Sequence, residues 1–156
     1  MNHPFLQAFT PDQAKALSRL GQETRFRAGQ VIFRQRETAD GFYLIETGQV
    51  RLEFELSREK KETVPIQIIG PGELLGVSWL FEPYKWEFSA IASSEVNAKF
   101  FPAAAVREQC AHDPGLGYKL IEEIARVLTQ RLQATRHKLR VFVERASHAD
   151  ETCQVC

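Results

Sequence analysis

Histidine and cysteine are the residue types in this chain that most directly suggest metal or nucleophile chemistry. The sequence holds four histidines and three cysteines. A catalytic metal site needs two or three histidines and a carboxylate that converge on one place. The histidines all lie outside the segments in which strands are predicted, at His3, His112, His137 and His148. We therefore expect no metal site and no metal-dependent enzyme.

The pair Cys153 and Cys156 has the spacing of a CxxC motif, and His148 precedes it. These three side chains are ligands that zinc accepts, but one CxxC at a chain end is a weak indication of a site. We favour an incidental tail. The third cysteine, Cys110, makes the number odd, which disfavours a disulfide framework. Since the sequence also lacks a nucleophile beside a base and a phosphate-transfer motif, we expect no enzymatic activity.

Composition and charge favour an ordinary globular protein. A chain of 156 residues suits one domain with an appended element. Twenty basic and twenty acidic residues cancel, so no global field attracts nucleic acid or an anionic membrane. No apolar run approaches the ~18–20 residues that span a bilayer, and the N-terminus does not resemble a signal peptide. These observations predict a cytoplasmic location.

The first hundred residues predict short helices followed by many short strands. Residues 4–20 have the apolar spacing of two short amphipathic helices, with Thr10 as the cap of the second and Pro11 at its first position. Period-two runs separated by turn residues then predict a β-sandwich or a rolled barrel. In one run, Val50 to Leu56, apolar and polar residues alternate, which predicts one buried face. The predicted strands are 31–33, 42–45, 50–56, 64–69, 88–92 and 96–101.

After Pro102 the apolar period becomes helical. A short helix is predicted at 103–110, and a long helix of ~30 residues, about 45 Å, at 116–145. Apolar residues recur along it at alternating steps of three and four, as in a coiled-coil seam. A second stripe beside the seam suggests that one face packs on the barrel and the other on a partner, which predicts a homodimer. The alternative is a single wide stripe facing the core. The predicted dimer seam consists of Ile121, Ala125, Leu128, Leu132, Thr135, Leu139 and Phe142.

The segments RAGQVIFRQRETADGFYLIETGQVRL, at 27–52, and PGELLGVSWL, at 71–80, together resemble the cyclic nucleotide-binding domain. That family supplies the sensor module of catabolite activators and kinase regulatory subunits, and the resemblance covers nearly the whole chain. It implies a mainly β fold, a double-stranded β-helix (jelly-roll) barrel with N-terminal helices and a long C-terminal helix. We assign 1–115 to the barrel domain, 116–146 to the dimerisation helix and 147–156 to a disordered tail.

The resemblance also implies where a ligand would bind. In the family, a glycine-rich turn presents free backbone N–H groups to the cyclic phosphate, as a helix N-terminus does. Here Gly76, which has no side chain, would let the backbone approach an anion closely. Val77 takes the place of a glutamate that binds the ribose, Trp86 that of an arginine that binds the phosphate, and Ser89 that of a small hydroxyl residue. The predicted ligand-binding residues are Leu75, Gly76, Val77, Ser78, Lys85, Trp86, Ser89 and Ala90.

Two of these positions depart from the family pattern. Valine accepts no hydrogen bond, and tryptophan neutralises no phosphate. Each lost charge-assisted hydrogen bond costs roughly 1.5–3 kcal/mol, so we expect Val77 and Trp86 to prevent usual binding of cyclic AMP or cyclic GMP. Lys85 would replace the arginine only after a one-residue shift. The more apolar pocket suits another small anionic ligand; alternatively, the aromatic side chains fill it and nothing binds.

Many relatives carry a C-terminal helix-turn-helix that binds DNA. Residues 147–156 contain neither a helix pair nor a basic cluster, so we expect no direct binding to nucleic acid. We therefore interpret the chain as a stand-alone dimeric sensor that signals through its C-terminal helix to an unidentified output protein in trans. The rival interpretation is a dimeric protein-interaction scaffold with a vestigial pocket.

Overall fold

The structure is a computed structural model that describes residues 3–153, with side chains as far as 148. The chain begins with a 3₁₀ turn at Pro4–Ala8 and the helix α1 at Pro11–Ser18. Thr10 caps α1: its Oγ1 accepts the N–H of Gln13 at 3.2 Å, and its own N–H donates to Gln13 Oε1 at 3.1 Å. This reciprocal pair satisfies two N-terminal donors. The two short helices and the cap at Thr10 are confirmed.

The described part of the chain contains eight strands in two four-stranded antiparallel sheets. The sheet orders are β1-β8-β3-β6 and β2-β7-β4-β5. This arrangement confirms the predicted jelly-roll fold. Two strands were not predicted individually, because β1 is polar and largely exposed and β6 has only two residues. The strands are β1 Gln22–Phe26, β2 Val31–Phe33, β3 Gly41–Thr47, β4 Val50–Ser57, β5 Glu62–Ile69, β6 Leu74–Leu75, β7 Ser89–Ala92 and β8 Val96–Pro102.

The core of the barrel lies between the two sheets, and β3 contributes most to it. Phe42, Leu44 and Ile45 are fully buried, as are residues of β4, β7 and β8 that face them. The turn from β3 to β4 requires a glycine. Gly48 has a φ of +90°, and a Cβ there would lie 2.1 Å from the carbonyl oxygen of Glu95.

The apolar face of β4 is buried only in its first half. Val50 and Leu52 are buried, but Phe54 and Leu56 are 42% and 58% exposed. The expectation of one buried face along the whole strand is therefore wrong for the second half. The reason is that β7 pairs with β4 only from Val50 to Glu53, beyond which the β4–β5 hairpin projects from the sheet.

The side chain of Gln35 continues the pairing of β4 where β7 stops. Its Oε1 accepts the N–H of Glu55 at 2.7 Å, and its Nε2 donates to the carbonyl of Glu55 at 3.5 Å. Gln35 is buried, so this amide replaces the missing strand neighbour at the base of the hairpin.

Strand β5 forms one edge of its sheet. Three of its apolar residues are exposed: Val64 at 43%, Ile66 at 40% and Ile68 at 59%. Pro65 lies among them and pairs with Glu53 next to an irregularity in the register.

Two helices follow the strands, α2 at Ala103–His112 and α3 at Pro114–Cys153. Asp113 caps α3, since its Oδ1 accepts the N–H of Leu116 at 3.2 Å. The chain divides into two compact units after Leu120, whereas we predicted the boundary before Leu116. Leu116 and Leu120 are buried in the first unit, which explains the difference.

Helix α3 continues past its predicted end at Ala146. Residues 147–153 include neither glycine nor proline, so nothing in the sequence stops the helix before Cys153. The prediction of a disordered tail from Ser147 therefore disagrees with the structure as far as Cys153. Residues 154–156, including Cys156 of the CxxC motif, lie outside the described residues.

The second unit, taken by itself, has an exposed apolar face. The five large apolar residues of the predicted seam are exposed by 50% at Ile121, 36% at Leu128, 51% at Leu132, 61% at Leu139 and 69% at Phe142. Ala125 and Thr135, the two smaller seam residues, are exposed as well. Within the described chain, none of the helices has the length and apolar content to cross a membrane.

Candidate functional site

The predicted ligand cassette is a turn at the end of β6. Leu74 and Leu75 pair with β3, and Gly76 follows with a φ of +100°. A 3₁₀ turn then runs over Ser78–Leu80, closed by the N–H of Leu80 donating to the Val77 carbonyl at 3.1 Å. The first N–H groups of such a turn have no partner inside it. That the backbone N–H groups of this turn hold an anion stays a prediction.

Trp86 lies directly against this cassette. It is 3% exposed, and its ring stacks on Phe33 with 3.7 Å between centroids and an angle of 8° between planes. A Cβ added to Gly76 would lie 2.9 Å from the Trp86 ring. The main chain of Trp86 also forms two hydrogen bonds. Its N–H donates to the carbonyl of Glu37 at 2.9 Å, and its carbonyl accepts the N–H of Arg36 at 2.8 Å. The indole thus fills the space beside Gly76.

Of the other predicted residues, Leu75 and Val77 flank Gly76 in the chain, and Ala90 pairs with Phe33, on which Trp86 stacks. Leu75 and Ala90 are fully buried core residues, Ser78 is buried and Val77 is half-buried. Lys85 is exposed, and its Nζ lies 3.4 Å from Thr38 Oγ1. Lys85 is exposed whereas Trp86 is buried, as expected for adjacent residues of an extended chain, whose side chains point to opposite sides.

Ser89 is on the outer side of its sheet. Its neighbour Ala90 is fully buried, whereas Ser89 is partly exposed and pairs with the partly exposed Glu53. The Oγ of Ser89 accepts the N–H of Gln35 at 3.0 Å. Because strand side chains alternate between faces, Ser89 does not point to the same side as the buried Ala90.

A cluster around Trp79 was not predicted from the sequence. Trp79 is 1% exposed, and its indole N–H has no hydrogen-bond partner among the described residues. Arg107 of α2 donates to the Trp79 carbonyl, and its guanidinium lies 5.8 Å from the Trp79 ring and 4.8 Å from that of Tyr84. This arginine ties the cassette to the helix that precedes α3. An isolated arginine in a helical segment carries no sequence signal for such a contact.

Two side chains near the barrel core have altered acidity. Burial, with a smaller contribution from Asp40, raises the pKa of Tyr43 to about 12. The phenol next to the cassette strand is therefore neutral at physiological pH. Burial and the nearby Asp113 also raise the pKa of the Cys110 thiol. A raised pKa lowers the fraction of the thiol that is present as the nucleophilic thiolate.

His3 has a structural role. Its Nε2–H donates to the carbonyl of Ile45 at 2.8 Å, and its Nδ1 accepts the N–H of Phe5 at 3.2 Å. The buried ring therefore fastens the N-terminal turn to β3. A cleft of about 610 Å³ beside it is lined by Glu46 and Lys99 but by none of the predicted ligand residues. Over residues 3–148, whose side chains the structure describes, no group of three His, Cys, Asp or Glu side chains could hold a metal ion.

Comparisons with known proteins point to one family. The cyclic nucleotide-binding domain family model matches residues 23–113. A CRP-like cAMP-activated global transcriptional regulator of Mycobacterium tuberculosis is 29% identical over 133 residues, which cover 85% of this chain and 57% of the relative. The chain thus spans little more than half the length of that regulator.

Solved structures show the same fold. A cyclic nucleotide-binding-like protein from Brucella abortus has a TM-score of 0.57 and 28% identity, over 68% of this chain and 89% of the other. A cyclic nucleotide-binding domain from Methylobacillus flagellatus has a TM-score of 0.77 at 19% identity, over 86% of this chain and 80% of the other. Because the second structure is only 19% identical in sequence, its similarity is evidence for the fold alone.

Proposed function

The chain belongs to the cyclic nucleotide-binding domain family, and on that premise we propose that it is a dimeric regulatory domain whose ligand pocket is filled by its own Trp86. In this proposal neither cyclic AMP nor cyclic GMP is bound in the usual manner. The observation that carries it is the buried Trp86 ring, stacked on Phe33 and against Gly76.

The energetic argument combines displacement with missing contacts. A ligand beside Gly76 would have to expose the indole, which costs about 1.5–3 kcal/mol for a large apolar side chain. The stack with Phe33 adds roughly 0.5–1.5 kcal/mol. Val77 also lacks the carboxylate that would accept hydrogen bonds from a ribose. Each ~1.4 kcal/mol corresponds to a tenfold change in affinity, so displacement of the indole alone weakens binding by about one to three powers of ten.

The proposed output surface is the exposed apolar face of α3. A row of large aliphatic and aromatic residues at coiled-coil spacing is typical of a helix that packs against a second helix. We expect two copies to associate through this seam and to act on an output protein in trans. Arg107 supports a link between pocket and seam, because it holds the cassette carbonyl from α2, which leads directly into α3.

A second candidate is a sensor for a different small anionic ligand that displaces the Trp86 ring. The buried indole N–H of Trp79, which lacks a partner among the described residues, favours it. Buried donors without partners are rare, and a ligand oxygen would satisfy them.

Calorimetric titration with cyclic AMP and cyclic GMP tests the proposal. The wild type is expected to bind neither at micromolar concentrations, whereas the double variant Val77→Glu, Trp86→Arg, which restores the family's two groups, should gain binding. Val77→Glu alone is the matched control and should gain little, because Trp86 still fills the pocket. Micromolar binding by the wild type would contradict the proposal. A small molecule that co-purifies and is seen by native mass spectrometry would favour the second candidate.

A further inference from the structure

A groove of about 480 Å³ lies on the outer face of the sheet β2-β7-β4-β5. The groove is separate from the ligand pocket, because the residues of β7 that line it alternate along the strand with residues that are buried in the core. Val31 of β2 and Ile91 of β7 pair with each other and provide apolar lining. The hairpin loop between β4 and β5 contributes Arg58 and Lys61.

The charges in this groove are not balanced. Glu53 is only 17% exposed and pairs with Arg51 at 2.6 Å, and Glu55 is 22% exposed and pairs with Arg58 at 3.7 Å. Each carboxylate therefore already has a guanidinium partner. Arg34 and Lys61 also line the groove, and neither has an ion-pair partner in the part of the chain that the structure describes. The groove thus offers two uncompensated cations.

A row of outward-facing side chains continues across the sheet towards its edge, with Arg51 between its aliphatic members. Ile91 pairs with Arg51, and Arg51 pairs with Ile68, which is 59% exposed. Neighbouring strands lie ~4.8 Å apart, so this row over four strands measures about 15 Å. An extended peptide of four or five residues, at ~3.4 Å each, has the same length. A row that contains Val31, Ile91 and Ile68 and has cations at its side fits a segment that carries both aliphatic and acidic side chains.

From this complementarity we infer that the groove binds an acidic, aliphatic peptide segment of a partner protein. Its carboxylates pair with Arg34 and Lys61, and its aliphatic side chains cover Ile91 and Ile68. Nucleic acid fits less well, because its phosphate backbone requires an extended cationic surface and the chain has no net positive charge. The inference does not depend on what the ligand pocket holds.

Fluorescence anisotropy with a labelled peptide of alternating glutamate and valine tests this inference. The peptide is expected to bind, and more weakly as salt is added. The double variant Arg34→Glu, Lys61→Glu should weaken binding about tenfold or more, because two rim ion pairs become repulsions. The matched control Lys15→Glu, Arg25→Glu makes the same charge change on exposed residues of α1 and β1 and should leave binding unchanged. Ile68→Ser, at an exposed position, should weaken binding a few-fold.

Circular dichroism establishes that each variant is folded before binding is compared. The inference is overturned if the control loses as much affinity as the groove variant. It is also overturned if a peptide of alternating lysine and valine, or a single-stranded oligonucleotide, binds as well as the acidic peptide. Absence of binding at millimolar acidic peptide overturns it too.

Discussion

Replacing Trp86 by alanine tests whether the indole is part of the core. The side chain is 3% exposed and lies 3.7 Å from Phe33, so its removal leaves a large cavity. Such truncations cost about 3–5 kcal/mol in free energy of unfolding. For a domain of this size each kcal/mol lowers Tm by ~2–4 °C, so we expect a decrease of roughly 6–20 °C. Urea unfolding followed by circular dichroism, together with calorimetry, measures both quantities.

Two controls make this experiment specific. Phe81→Ala removes an aromatic ring that is 60% exposed and should change stability by less than about 0.5 kcal/mol. Added indole should raise the Tm of Trp86→Ala by refilling the cavity, and should leave the wild type unchanged. A loss below about 1 kcal/mol for Trp86→Ala, or stabilisation of both proteins by indole, would refute the assignment of Trp86 as a pocket-filling residue.

Three further predictions concern other parts of the chain. The double variant Leu128→Glu, Leu132→Glu should halve the mass measured by analytical ultracentrifugation. The control Gln133→Glu lies off the seam and should not change the mass. An unchanged mass for the double variant would show that the seam does not dimerise. Thr10→Ala should lower the free energy of unfolding by about 1 kcal/mol in urea, and an unchanged midpoint would contradict its capping role. Burial raises the pKa of Tyr43 to about 12, so the unfolded chain releases this proton first, near pH 10. The contribution of Tyr43 to stability should therefore be constant below pH 10 and fall from pH 10 towards 12, and Tyr43→Phe should remove this component of the decline.

Local patterns predicted most of the fold because their signals lie within a few residues. Val31–Phe33 was predicted at its observed bounds, and the cap at Thr10 was predicted from Pro11 at the first helical position after it. The exposure of Phe54 was not predictable in this way. It depends on where β7 stops pairing with β4, which is a contact between distant parts of the chain.

The candidate site was predictable only in part, for the same reason. Gly76 and Trp86 were selected by family resemblance, and the structure brings them into contact. Ser89 was also selected by the resemblance and Lys85 as the neighbour of Trp86, but the side chain of Ser89 accepts the N–H of Gln35 and that of Lys85 lies against Thr38. The bond from Arg107 to the cassette joins a helix to a turn far away in sequence, and no local pattern encodes it.

Pro65 at the open edge of β5 has a consequence for self-association. A strand edge with exposed Val64, Ile66 and Ile68 is a template on which a strand of another molecule can add. Proline has no N–H to donate, so such an added strand could not form an uninterrupted hydrogen-bond ladder. A single imino acid thus protects this surface from fibril-like growth at high protein concentration, while leaving its side chains accessible.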